Sequence, residues 1–162
     1  MRVRLLIVAL ALAPLAALAD RMPLPADAPP AFKAECGSCH LAFPPALLPA
    51  ADWKKVMAGL DKHYGDNASL DPKTRGQIED FLVRNAGSTW RIGFGAGDPP
   101  RLTATSRFQR KHHEISPAVW RDKRVGGPAN CIACHPRAEA GGFSEHEVTL
   151  PGEQGGKRRE RH

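Results

Sequence analysis

The sequence predicts a mainly α-helical protein made of two small lobes, and three observations carry that reading. Apolar residues recur at helical spacing in several stretches, while no strand pattern of convincing length occurs anywhere. The motif Cys-x-x-Cys-His occurs twice, as Cys36-Gly37-Ser38-Cys39-His40 and Cys131-Ile132-Ala133-Cys134-His135, and together the copies use all four cysteines. Between them, Gly87 to Pro100 is crowded with glycine and proline and reads as the joint between the lobes.

The spacing within the motif has a chemical reason. Two thiols three positions apart can each add across one vinyl group of a porphyrin, and a histidine directly after them can turn under the ring onto iron. This is the attachment signature of c-type haem. Cys36, Cys39, Cys131 and Cys134 are therefore the expected attachment points of two covalently bound haem c groups, with His40 and His135 as proximal iron ligands. A Cys₄ zinc site, redox disulfides or a structural disulfide framework could use the same cysteines. None of these requires a histidine after each pair.

Taken in order, residues 1–19 read as a signal peptide. Met1-Arg2-Val3-Arg4 is a basic start, Leu5 to Ala19 is apolar, and Ala17-Leu18-Ala19 is a cleavage pattern. The apolar run falls short of the roughly 20 residues that span a bilayer. Cleavage after Ala19, a periplasmic location and no transmembrane segment in the mature chain are expected. Residues 20–30 form a Pro-rich extended leader.

The N-terminal haem lobe is expected over 31–95. A helix begins at Ala31 and enters the first motif, and Phe43-Pro44-Pro45 forces a turn. A proline carbonyl there could accept the bond from the His40 ring N–H, fixing the tautomer that leaves the other nitrogen for iron. A helix over Ala51 to Tyr64 carries Trp53, Val56, Met57, Leu60 and His63 or Tyr64 on one face, and Gly65 stops it. Asp71-Pro72 opens the next helix, which buries Ile78, Phe81 and Leu82 and closes at Gly87. The C-terminal haem lobe follows over 96–152, with a helix from about Ser106 to Ser116, a loop from Trp120 to Asn130 and a short helix at the second motif. Residues 153–162 are a basic tail.

Composition fits a thin side-chain core. Glycine and proline number 15 each, against six Phe, three Trp and one Tyr. Two porphyrins would replace much of the missing apolar volume. The formal charge of +6 becomes +4 without Arg2 and Arg4, and the terminal Lys157 to His162 contributes most of what remains. That balance is mostly a tail, and nucleic-acid binding is a poor reading for an exported protein.

Five histidines remain as sixth-ligand candidates: His63, His112, His113, His146 and His162. Met22 lies in the leader, and Met57 lies inside an apolar stripe where packing explains it. An apolar-face histidine is ordinarily a core residue, but beside a haem motif with no usable methionine the ligand role gains ground. His63 continues the apolar face of its helix. His112 stands four after Phe108 and three before Ile115, whereas the alternative, His113, sits with Gln109, Arg110 and Ser116. His146 is flanked by acids and reads as surface, and His162 lies in the tail.

The ordered set of Cys36-Gly-Ser-Cys-His40, Phe43-Pro-Pro-Ala-Leu-Leu-Pro49, Trp53, His63-Tyr-Gly-Asp-Asn-Ala-Ser-Leu-Asp71, Phe108-Gln-Arg-Lys-His112-His-Glu-Ile115 and Cys131-Ile-Ala-Cys-His135 resembles the small bacterial dihaem cytochrome c family. The resemblance runs from about Ala31 to Pro151 and leaves out the basic tail. It implies two bis-histidine haems, the first lobe similar to a monohaem cytochrome c and the second with little regular structure. His63 and His112 match the sixth-ligand positions. It also implies electron transfer to a small oxygen-binding monohaem cytochrome c, often alongside a membrane cytochrome b as donor.

Two nitrogen ligands per iron leave no open position, so the expectation is an electron carrier rather than an enzyme. The alternatives are a haem enzyme or gas-binding protein with one open iron site, acting on peroxide, nitrite, oxygen or NO, and a fixed electron-transfer subunit of a larger reductase.

Overall fold

The computed structural model describes residues 21–151. The expected signal peptide over 1–19 and the tail over 153–162, with His162, lie outside the described residues. Among the described residues six α-helices follow in order: α1 (Pro30–Cys36), α2 (Ala50–Ala58), α3 (Pro72–Arg84), α4 (Thr89–Ile92), α5 (Ser106–His112) and α6 (Pro117–Arg121). Among the described residues β pairing is limited to isolated bridges, at Arg21 with Gly142, His63 with Asp66 and Ala96 with Arg101. The fold is mainly helical, as expected. None of the described helices is long and apolar enough to cross a membrane.

The core is built by α1, α2 and α3. Phe32 of α1 meets Phe81 of α3 with ring centroids 4.9 Å apart. Trp53, Val56 and Met57 of α2 and Ile78 and Leu82 of α3 complete the buried cluster with Leu48. Full burial of each such side chain contributes about 1.5–3 kcal/mol. Trp53 also needs a partner for its indole N–H, and Nε1 donates to the Pro45 carbonyl at 2.7 Å. At the start of α3, the Asp71 carboxylate accepts from the backbone N–H groups of Lys73 and Thr74, each at 3.0 Å. Pro72 occupies the first helical position, where its missing N–H costs nothing.

Three helices are shorter than the sequence predicts. The one expected over Ala51 to Tyr64 ends at Ala58, and Gly59 caps it by donating to Val56 O at 3.2 Å. Glycine is about 1 kcal/mol worse than alanine inside a helix, so the apolar stripe does not carry the helix through it. A 3₁₀ turn over Leu60–Lys62 follows, which leaves His63 outside any helix. The helix expected to close at Gly87 ends at Arg84, with Asn85 as its cap. The helix expected to reach Ser116 ends at His112. Ser116 is extended because it precedes Pro117, and the pair opens α6 inside what the sequence suggested was loop.

The glycine-rich joint contains α4 and is tied to the core. Ile92 is buried. The Gly87 N–H donates to Leu48 O at 2.9 Å, and the Gly95 N–H donates to the Asp52 carboxylate at 2.7 Å. Leu102 packs against the α1–α3 cluster. Beyond it the buried residues are few, Thr105, Val125, Ala138 and Gly141. The leader does not run free of the body either. Leu24 and Ala28 pack against the core, and the Met22 N–H donates to Gly141 O at 2.8 Å.

Candidate functional site

The first motif leaves α1 at Cys36 and turns at Gly37, so His40 emerges on the surface side of the core. Its ring stacks on Phe43 with centroids 4.9 Å apart. The expected bond from its ring N–H to a proline carbonyl is absent. Nδ1 instead meets Leu41 O at 2.8 Å, while the proline carbonyls serve other donors, Pro44 O the Leu47 N–H and Pro45 O the Trp53 indole and the Leu48 N–H. With Nδ1 occupied, Nε2 is the nitrogen left to bind a metal.

His63 reaches the same place from the opposite side. A tight turn closes with the Asp66 N–H donating to His63 O at 3.0 Å. The His40 and His63 rings face each other with centroids 6.2 Å apart and planes 22° from parallel. Burial, then the neighbouring His40, hold the His63 pKa below its usual value, which favours the neutral imidazole that a metal needs.

The second motif forms a 3₁₀ turn over Cys131–Ala133, closed by the His135 N–H donating to Cys131 O at 2.8 Å. His135 and His112 have ring centroids 6.2 Å apart with planes at 80°. The Thr105 hydroxyl oxygen caps α5 by accepting from the Phe108 N–H at 3.2 Å, and α5 delivers His112 at its C-terminus. His112 Nδ1 meets Phe108 O at 2.9 Å, again leaving Nε2. His113 points elsewhere, with its exposed side chain near Glu114. His146 is exposed.

Cys131, Cys134, His112 and His135 line one mainly apolar cavity together with Phe108, Trp120 and Phe143. Phe108 stacks on His112 at 4.0 Å, and Trp120 lies 5.9 Å from the same ring. Met22 also lines this cavity, although the sequence placed it in an uninvolved leader. Only the pairing of the leader with Gly141 reveals it, and sequence spacing carries no signal for a contact across so much chain. Trp120 was missed because its helix was.

All four cysteines are free thiols. Burial, then the adjacent Glu35, push the Cys36 thiol up to about 11, and burial does the same for Cys131. Both are neutral at physiological pH and poor nucleophiles toward a disulfide.

The two histidine pairs fit a metal held between imidazoles. A metal–imidazole bond of about 2 Å on each side, with each ring centre about 1.2 Å behind its nitrogen, sets the two centres about 6.4 Å apart. Both pairs lie within a few tenths of an ångström of that separation, and each has a cysteine pair beside it. No group of three or more His, Cys, Asp or Glu suited to a bare metal ion occurs among the described residues.

The sequence profile of the dihaem cytochrome c family matches residues 32–143. The diheme cytochrome c of Shewanella baltica OS155 is 42% identical, with 76% of this chain and 93% of that one aligned and a TM-score of 0.67. A Rhodobacter sphaeroides DHC crystal structure is 41% identical over 74% of this chain and 99% of that one, with a TM-score of 0.61. No curated protein matches the chain. The chain belongs to the dihaem cytochrome c family. It is a haem-based electron carrier with two haem c groups, and its four cysteines are available for their covalent attachment.

Proposed function

We propose that the protein is a periplasmic relay that passes single electrons between redox proteins through two low-spin bis-histidine haems. His40 and His63 hold the first iron, and His135 and His112 hold the second. Thioethers from Cys36, Cys39, Cys131 and Cys134 fix the two rings, within lobes at 31–95 and 96–152. The observation that carries this reading is the matched 6.2 Å spacing of both histidine pairs.

Bound haem supplies a one-electron ferric/ferrous couple. The chain's own residues keep that couple simple. With a histidine from each side taking the iron, a substrate would find no place to bind. The Leu41 and Phe108 carbonyls fix the tautomers of His40 and His112, and the fixed rings limit reorganisation when charge changes. Two imidazoles, with no methionine thioether, favour low potentials at both sites. Phe108, Trp120 and Phe143 exclude water from the second pair. The acceptor is a small oxygen-binding monohaem cytochrome c and the donor a membrane cytochrome b. The N-terminal signal peptide, cleaved after Ala19, supports export.

Ferric EPR with CO titration of the reduced protein tests this reading. Two low-spin signals and no CO adduct are expected, and His63→Ala and His112→Ala should each convert one haem to high spin. A high-spin iron or a CO adduct in the unaltered protein would overturn the closed-site relay in favour of an enzyme or gas-binding protein.

A further inference from the structure

The histidines of the two pairs are not all held alike. His40 and His112 each have Nδ1 fixed by a backbone carbonyl. His63 has no such anchor: its Nδ1 is buried and makes no hydrogen bond, and the residue lies on a turn. A ring that must face His40 across a set gap takes its orientation from something else.

Tyr64 is placed to supply it. Among the described residues it is the one non-glycine with positive φ, at 52°. L-residues avoid this region and stay there only when their surroundings impose it. Glycine or asparagine would suit the turn better. The tyrosine side chain is what the turn keeps, because its ring meets His63 edge-on at 4.7 Å and its hydroxyl donates to Pro100 O at 2.6 Å. The Arg101 guanidinium lies over the outer face of the ring, 4.6 Å from its centre. The far end of this clamp is itself fixed. The Arg101 N–H donates to Ala96 O at 3.1 Å, and the neighbouring Gly95 N–H reaches the Asp52 carboxylate, which is buried on α2.

We propose that Tyr64 is a positioning residue for His63: clamped to Pro100 and Arg101, it holds the imidazole on the first iron and slows its departure. The inference rests on the reading of His63 as the sixth ligand of that iron.

The test uses the ferric holoprotein and its Tyr64→Phe variant, with excess cyanide as the probe, since cyanide binds only after a histidine leaves. The two haems can be told apart by EPR. Near-parallel imidazoles, as in the first pair, give a rhombic low-spin signal, and near-perpendicular ones, as in the second, give a single large g value. Tyr64→Phe is expected to speed cyanide uptake at the first haem by roughly three- to tenfold, the factor that the loss of one net hydrogen bond represents. It should shift the rhombic signal and leave the other haem untouched. Tyr64→Gly, which relieves the backbone but deletes the clamp, should be faster still. Unchanged uptake and an unchanged rhombic signal would overturn the proposal. Equal acceleration at both haems with a matching fall in melting temperature would do so too, since Tyr64 would then be a general stabiliser. A His63→Ala protein whose first haem stays low-spin would instead remove the ligand reading and the proposal together.

Discussion

Gly141→Ala puts a methyl group where the leader crosses the second half of the chain. Gly141 has φ of 75°, and a Cβ there would fall on the Met22 carbonyl and 2.5 Å from Pro23 Cα. The left-handed backbone alone costs an alanine about 1–2 kcal/mol. Displacing the leader also breaks the bond from the Met22 N–H to Gly141 O, about 0.5–1.5 kcal/mol more. Gly126→Ala separates these contributions, because Gly126 has φ of 70° and a Cβ there would meet nothing nearer than Asn130 Nδ2 at 4.0 Å. Denaturant unfolding of the holoproteins should show Gly141→Ala more destabilised than Gly126→Ala by about 1 kcal/mol. Because Met22 lines the second cavity, redox titration should show the second potential falling as water reaches the ferric site, with the first unmoved. Equal destabilisation by the two variants, with both potentials unchanged, would refute the leader as a wall of that cavity.

Other substitutions probe the supports of each site. Trp53→Phe removes the indole donor from the buried Pro45 carbonyl, which keeps only the 3.4 Å bond from the Leu48 N–H, and should cost about 0.5–1.5 kcal/mol in thermal or denaturant unfolding. Thr105→Ala removes the α5 cap and the hydroxyl's own bond to Leu102 O; it should destabilise the protein by about 1–2 kcal/mol and speed cyanide uptake at the second haem only. Hydrogen bonds from Thr74 and Lys73 hold the Asp71 carboxyl below the usual carboxylate range. A depressed folded pKa gives stability that is present above the unfolded value and lost as pH falls through the folded one. The difference in melting temperature between the parent and Asp71→Ala should therefore be present at neutral pH and shrink in acid, and a pH-independent difference would count against the cap.

Much of the first half was legible because its signals are local. Asp71 and Pro72 announce a helix start within two positions, and Ile78, Phe81 and Leu82 are buried where the 3.6-residue period puts them. The family was legible from the order of its motifs. The stretch before His63 misled because an apolar stripe crosses Gly59 without a proline to stop it. The histidine still faces the first motif, but a turn rather than a helix brings it there. Pro117 was read as the end of one helix when it begins another. His40 meets Leu41 O rather than a proline carbonyl, and both proline carbonyls serve other donors, that of Pro44 the Leu47 N–H and that of Pro45 an indole eight residues away. Contacts between distant segments, such as Met22 with Gly141 and Tyr64 with Pro100, leave no periodic trace to read.

The leader's hold on Gly141 also sets an order of events. Met22 is synthesised early and Gly141 late, so the two ends of the described chain can meet only when nearly all of it exists. Closing so long a loop comes late in folding, since distant contacts are entropically costly to make first. Until then the cavity around Cys131 and Cys134 lacks the wall that Met22 provides.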